Sequence, residues 1–514
     1  MKTKLLLALI LILFFATRLY KITEIPPSLY WDEASIGYNA YSITQTGRDE
    51  WGDFLPIHFR AFGEFKLPVY IYSVALTQKI IGMNNLSVRL PSVIYWGLAI
   101  YLMYLLSLKL LNKKSTALLS AFFLSISPWI FIFSRTGFEA SAGVMFFLLA
   151  IYLFLQTDRN KWFVIPSILS FLFSIYSYNS FRIVIPITLV VLIYYYFNTL
   201  TKKIIPLILG LVILMVGILP IVRLMVFDNG AVRLQTVSVQ GETRFETGKL
   251  LLVNYLSHFS PDFLFQGDKN PRSQFLHGQI YFLDLLFLTL GIFVALKKRK
   301  FFYVFPLIMT IVSPIPATIT KESPHALRSI LIAPFASIII ALGVSWILEN
   351  LKKNLTIIFL TVLSIIYLTF FYLYWDGFRE LYKFTSTDWQ YGYKQIFTEY
   401  KEEFKNYDHV FISDKFGQPY IFALYYLKYN PAKFWSEVKL NPVNKWGFSK
   451  VVGFDNFIFG DFTVENINAW DLPSGRSLVF AATWAFLKPE NIQEKSAVKD
   501  LTGMQAFYVY EVQK

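Results

Sequence analysis

Long apolar runs alternate with short polar connections through roughly the first three quarters of the chain. A bilayer-spanning helix needs about 20 mostly apolar residues. Runs of that kind fall near 4–20, 89–111, 115–134, 138–156, 162–179, 182–198, 203–226, 279–296, 301–319, 326–348 and 354–374. The pattern therefore predicts about eleven transmembrane helices. The run 67–82 is shorter and interrupted by Gln78 and Lys79, and reads as a re-entrant or interfacial helix. The first run has a basic start and an apolar core but passes into Thr17-Arg18-Leu19-Tyr20 with no small-residue cleavage site, so an uncleaved span is expected.

From about residue 379 the periodicity changes. "DHVFISDKFGQPYIFALYYLKY" (408–429) reads as strand, turn and amphipathic helix, while 477–486 and 505–512 read as strands. The expectation is a transmembrane domain over 1–378, with outer loops 21–88 and 227–278, followed by a soluble extracytoplasmic α/β domain over 379–514.

Composition agrees with this pattern. Hydrophobic residues are 55% of the chain and charged residues 16%, against roughly a quarter charged in soluble proteins. Mean hydropathy is +0.47. The net charge of +14 could point to nucleic acid, but its placement excludes that partner. Basic residues cluster in short turns: Lys2/Lys4, Lys113/Lys114, Arg159/Lys161, Lys202/Lys203, Lys297–Lys300 and Lys352/Lys353. All fall on one side if the spans alternate, which makes that side cytoplasmic. The expected location is the plasma membrane, with the N-terminus inside and the C-terminal domain outside. The absence of Cys excludes disulfides, thiolate metal sites and Cys nucleophiles.

With that topology, the ionisable residues at outer span ends become the functional candidates. Asp32 and Glu33, then Asp49 and Glu50, form two Asp-Glu pairs in the first loop, which also carries Arg60 and Lys66. Later outer turns supply Arg135 and Glu139, Asn179 and Arg182, His277, and finally Lys321, His325 and Arg328. Each has a plainer explanation. Asp-Glu pairs in loops are commonly solvated, Arg135 and Arg182 could anchor at the interface, and Glu139 could pair with Arg135 one helical turn away. What favours chemistry is convergence at one membrane face. A carboxylate there can take a proton from a hydroxyl while Arg, Lys and His neutralise a phosphate. A phosphodiester leaving group needs positive charge rather than a proton. The combination suits transfer from a phosphate-linked donor to an acceptor hydroxyl or amine.

The stretch "WDEASIGYNAYSI…GRDEWG…LPIHFRAFGEFKLPVYIY" resembles the first outer loop of membrane glycosyltransferases with the GT-C fold. The branch it is most similar to holds the bacterial relatives of protein O-mannosyltransferases and of the lipid A aminoarabinose transferase. "FSRTGFEA", "YSYNSFR" and "HALRS" resemble the same branch. The resemblance implies inverting transfer of a sugar from a polyprenyl-phosphate carrier to an envelope lipid, glycan or protein. It implies Asp32 as general base with Glu33 beside it, and Arg182, His325 and Arg328, with Lys321 as an addition, as holders of the carrier phosphate. The remaining candidates, Arg60, Lys66, Arg135, Glu139, Asn179 and His277, would line the substrate site. Asp49-Glu50 would position the acceptor or bind metal. No cofactor is certain; a divalent metal stays open, with Asp32, Glu33, Asp49 and Glu50 as its ligands.

The alternative reading is a transporter or flippase of lipid-linked precursors. Transporters favour polar residues at mid-membrane and repeated halves, whereas here charge sits at outer span ends and no repeat is visible. A non-catalytic assembly factor is a third reading, one that would tolerate loss of the acidic pair.

Overall fold

The computed structural model describes residues 2–201, 204–227, 230–268, 270–273, 277–444, 448–464, 472–482 and 494–513. Lys202/Lys203, the start of the run 203–226, residues 274–276 before His277 and the end of the strand expected over 477–486 lie outside the described residues. The chain divides into two compact units: Met1–Tyr20 with Ser92–Phe378, and Lys21–Pro91 with Arg379–Lys514. The stretch 21–88, expected as the first outer loop, thus groups with the C-terminal region and not with the apolar helices.

Each of the eleven apolar runs falls on a helix, from Lys2–Leu19 to Lys353–Leu381. Among the described residues, six helices are long and apolar enough to cross a bilayer by length and composition: Asn85–Leu111, Ala140–Asp158, Ile204–Phe227, Phe301–Thr318, Ile332–Asn350 and Lys353–Thr385. The others fall short for local reasons. The run 115–134 is split because Ser127, which precedes Pro128, is extended (φ −60°, ψ 128°) and ends the helix Lys114–Ile126. Helix Lys2–Leu19 carries Lys2, Lys4 and Arg18, and helix Phe282–Lys298 has only 17 residues.

Within the first unit the helices sort by burial. In the most apolar windows of Ala140–Asp158 and Ile332–Asn350, 78% of residues are buried, against 17% in Ile204–Phe227 and Lys353–Thr385. The latter two are the apolar surface that lipid would cover. Helices Phe282–Lys298 and Ile332–Asn350 approach backbone to backbone, because a Cβ on Gly291 would strike the Ile339 carbonyl and one on Gly343 the Phe287 carbonyl. Small residues at such crossings replace the hydrophobic drive that lipid cannot supply.

In the second unit the stretch expected as the first loop holds a helix over Trp31–Thr46, which the polar sequence did not foretell, besides the helix expected over 67–82. Helix Trp31–Thr46 begins where the Glu33 carboxylate accepts the Tyr30 backbone N–H (3.0 Å). It ends at Gly47 in the left-handed region (φ 72°), whose N–H bonds the Ile43 carbonyl. A hairpin of β1 (Phe59–Ala61) and β2 (Glu64–Lys66) follows, then helix Pro68–Ile81 with proline in its first turn. Gln78, which interrupts the apolar run 67–82, is a packing residue: its side-chain amide donates to the Gly37 carbonyl (2.9 Å).

The C-terminal part of this unit is a mixed sheet. Its strands are β3 (His409–Ser413), β4 (Lys439–Leu440), β5 (Val451–Phe454), β6 (Phe457–Gly460), β7 (Arg476–Ala482), β8 (Glu494–Lys499) and β9 (Gln505–Gln513). They lie in the order β4-β5-β6-β3-β7-β9-β8. β3 is parallel to β6 and β7, and its near-continuous apolar run suits a strand buried on both faces. Helix Pro419–Tyr426 packs on helix Trp31–Thr46, where a Cβ on Gly37 would meet the Tyr425 ring.

Candidate functional site

The four first-loop carboxylates do not share one fate. Asp32 and Glu33 are neighbours in the first turn of helix Trp31–Thr46, where a helix favours negative charge. The Glu33 side chain is fully buried, and both its oxygens meet Arg89, Oε1 at 3.0 Å from Nε and Oε2 at 3.2 Å from Nη2. Arg89 also donates to the carbonyls of Ile22, Pro26 and Ser28. Glu33 is thereby a structural acid, and the beside-the-base role expected for it is not what its contacts serve.

Asp32 differs. Its side chain is 22% exposed, and its Oδ1 accepts from Lys66 Nζ at 2.6 Å. Lys66, at the end of β2, has a side chain only 4% exposed and also lies 3.9 Å from Glu64. No hydrogen bond uses Asp32 Oδ2 among the described residues, so this oxygen is open to a ligand.

Asp49 and Glu50 are both fully buried. Asp49 Oδ1 accepts the backbone N–H groups of Trp51 (2.8 Å) and Asp53 (3.0 Å), closing a turn. Glu50 Oε1 accepts from the Tyr420 hydroxyl (2.8 Å) and Oε2 from the Asn39 amide (2.9 Å), while Trp435 Nε1 donates to the Glu50 carbonyl (3.1 Å). Burial pushes the Glu50 carboxyl up to about 8, although the Tyr420 and Asn39 hydrogen bonds favour its charged form, and pushes Asp49 up to about 6. Arg60 is spent nearby on the Trp51 ring (4.9 Å) and the Ser449 hydroxyl (3.0 Å). The four carboxylates thus do not make the metal site left open by the sequence. Asp32 pairs with Lys66, Glu33 with Arg89, and Asp49 and Glu50 with neutral donors, and no group of three or more His, Cys, Asp or Glu suited to a metal occurs among the described residues.

The cationic candidates other than Arg60 and Lys66 belong to the first unit. Arg135 is buried and donates to the carbonyls of Thr17 (2.6 Å), Arg18 (2.9 Å) and Tyr20 (2.7 Å). It caps the C-terminal end of helix Lys2–Leu19, a structural task rather than the substrate contact expected. Glu139 is the N-cap residue of helix Ala140–Leu155. Asn179 is exposed in the turn before Arg182. The Arg182 side chain makes one hydrogen bond among the described residues, a weak one from Nη1 to Met225 Sδ (3.8 Å), and its Nε has none. His277 is exposed, with its ring 5.8 Å from that of Tyr374.

Lys321, His325 and Arg328 share one turn. Lys321 is exposed and donates to the Thr236 carbonyl (2.9 Å). Arg328 donates from Nη1 to the Thr320 hydroxyl (2.9 Å) and lies 3.5 Å from Glu322. His325 Nδ1 accepts the Arg328 backbone N–H (3.4 Å), which leaves the ring proton on Nε2. Burial, helped by Arg328 and His258, pushes the His325 imidazole down to about 3. His325 is therefore a neutral donor and not the cation its residue type suggested.

Sequence reasoning missed Arg89, His258 and Asp268. Arg89 looked like the start of a span, although an Arg opening an apolar run near an acidic loop was a usable signal. His258 and Asp268 carried none, since their partners are backbone groups more than 55 residues away.

Comparison with known proteins follows this geometry. Residues 66–223, less than half of the chain, match the family model described as dolichyl-phosphate-mannose-protein mannosyltransferase. No curated protein sequence matches significantly. Among solved structures, ArnT from Cupriavidus metallidurans bound to undecaprenyl phosphate is 12% identical, with a TM-score of 0.58 over 99% of this chain and 97% of that one. Its apo state gives 11% and 0.61 with the same coverage. The Archaeoglobus fulgidus oligosaccharyltransferase in complex with Zn and sulfate is 13% identical, with a TM-score of 0.52 over 82% of this chain and 61% of that one. Another structure of that archaeal enzyme holds an inhibitory peptide and a dolichol-phosphate (12%, 0.50, 82% and 63%). By fold over nearly the whole chain, and by family model over residues 66–223, this is a membrane protein with the architecture of the GT-C glycosyltransferases, the class its first loop resembles.

Proposed function

We propose that the chain is an inverting glycosyltransferase that moves a sugar from a polyprenyl-phosphate carrier to an acceptor hydroxyl or amine at the outer face of the plasma membrane. The acceptor is an envelope lipid, glycan or protein, and the sugar's ring class is open. The N-terminus is cytoplasmic and residues 379–514 extracytoplasmic. One observation carries the reading: of the four first-loop carboxylates, only Asp32 combines solvent exposure with an uncommitted oxygen. The structures of similar fold that hold undecaprenyl phosphate or dolichol-phosphate support the donor class.

In this reading Asp32 Oδ2 takes the acceptor proton while Lys66 fixes Oδ1. The acceptor oxygen or nitrogen forms its bond to the anomeric carbon from the face opposite the carrier, which inverts that centre. The bond from carbon to the phosphate oxygen breaks, and its electrons leave with the polyprenyl phosphate. Arg182 and Arg328 stabilise that charge, His325 adds a neutral N–H, and Lys321 adds long-range attraction. The four carboxylates form no metal site, so no step runs through one.

The test is reconstitution of the purified protein with defined polyprenyl-phosphate sugars and candidate acceptors, comparing wild type with Asp32→Asn. Transfer by wild type that is lost in the variant is expected. Equal transfer by both would remove Asp32 from the mechanism. Substrate flux across vesicles without transfer would make the protein a transporter.

A further inference from the structure

The turn 320–328 is gripped from outside itself. His258 is fully buried at the end of helix Arg244–Ser257, and Asp268 follows on the same outer loop. His258 Nδ1 lies 2.8 Å from the Asn254 carbonyl, so Nδ1 carries the proton and Nε2 is an acceptor. That acceptor takes the backbone N–H of His325 at 3.2 Å. One residue on, Asp268 Oδ2 takes the backbone N–H of Ala326 at 3.0 Å. The Ala326 carbonyl accepts from Trp129 Nε1 at 3.0 Å. Two consecutive amides and the carbonyl that follows them are thus all held by side chains from elsewhere in the same unit. A turn of this length would otherwise sample several backbone conformations, each sending Arg328 in a different direction.

We propose that His258 and Asp268 are positioning residues that preset the 325–328 turn for a phosphate monoester, so that Arg328 and the His325 Nε2–H meet it without rearrangement. This rests on the carrier-phosphate reading above and deepens it. His258 touches no substrate; it acts by fixing the backbone from which the two phosphate ligands project. A neutral imidazole is required, since only that form leaves Nε2 free to accept. The ring also stacks edge-on against Phe263 (5.4 Å), so its shape and its lone pair can be removed separately.

The experiment uses the full-length protein in nanodiscs and two probes, undecaprenyl phosphate and undecaprenol, which differ only in the phosphate. The measured quantity is the affinity ratio between them. Wild type should prefer the phosphate. His258→Phe keeps a ring but loses the acceptor, and should cut the preference about tenfold, the scale of one charge-assisted hydrogen bond. His258→Gln can donate to Asn254 and accept from His325, and should restore it. Asp268→Ala removes the second grip without touching His258, should act in the same direction, and keeps the test alive if His258→Phe does not fold. A wild-type preference retained by either folded variant, or lost as fully in His258→Gln as in His258→Phe, overturns the inference. Absence of any preference in wild type would instead bring down the carrier-phosphate reading itself.

Discussion

Asp32-Glu33 and Asp49-Glu50 are the same dipeptide in the same loop, yet they occupy opposite electrostatic environments. The first pair is cationically matched: Lys66 for Asp32 and Arg89 for Glu33, one half-open to solvent and one sealed. The second pair is buried among neutral donors, Tyr420, Asn39 and backbone amides, with no ion pair among the described residues. A carboxylate can do acid–base work only if it can meet a substrate, and a buried one without a cation tends to stay protonated. The contrast is why the chemistry is proposed at Asp32, with the other three carboxylates as scaffolding.

The largest expected effect breaks this division at Asp32. Asp32→Asn should reduce transfer by about 100-fold or more, the usual contribution of a positioned base, with thermal stability little changed; rates in the reconstituted assay decide. Next comes Arg89→Met, which leaves Glu33 buried and unpaired. It should destabilise the second unit by about 3–5 kcal/mol, read by denaturant unfolding, and adding Glu33→Gln should recover part of the loss.

A finer test concerns pH. Glu50, and to a lesser degree Asp49, bind a proton more tightly folded than unfolded, with Tyr420, Asn39, Asp49 and Arg60 facing Glu50. The folded state thus holds more protons between roughly the ordinary carboxyl range and pH 8. Stability conferred by this knot is full at low pH and is lost as pH rises through that window. Thermal melts of wild type should fall from pH 5 to pH 8, and Glu50→Gln should flatten the trend. The smallest effect belongs to Asp49→Asn, which keeps an acceptor for the Trp51 and Asp53 amides. Its cost should be about 1 kcal/mol, and a larger loss would mean that the turn needs the charge.

Much of the helical part of the fold was legible because bilayer helices announce themselves by length and apolarity. The reading failed where length and composition stop being decisive. Pro128 split one run, and polar side chains such as Gln78 turned out to serve packing. The site was legible in part. Residue type flagged the acids, but only burial could separate Asp32 from Glu33, since adjacent letters differ in direction by about 100° on a helix. Arg135 shows the converse: a lone guanidinium at membrane depth invites a functional reading, yet its Nη1 and Nη2 donate to three carbonyls at the end of the first helix. The residue type of His325 suggests a cation, whereas its own burial, with Arg328 and His258 nearby, favours the neutral form.

The second unit is assembled from two distant stretches of chain, 21–91 and 379–514. The Glu50–Tyr420 hydrogen bond spans 370 positions, and the Trp31 backbone N–H bonds the Gln390 side chain across 359. At ordinary synthesis rates the helix bearing Asp32 would exist for roughly 20 to 70 seconds before its partners are made. During that interval the knot around Glu50 cannot close, and the loop has no Tyr420 or Trp435 to seat against. Order in the segment that carries the proposed base is thus a late event in the life of the nascent chain, and premature termination anywhere before the sheet would leave that segment without the partners it packs on. The fold's discontinuity acts as a check on completion, so that this loop is ordered only once the last strands are in place.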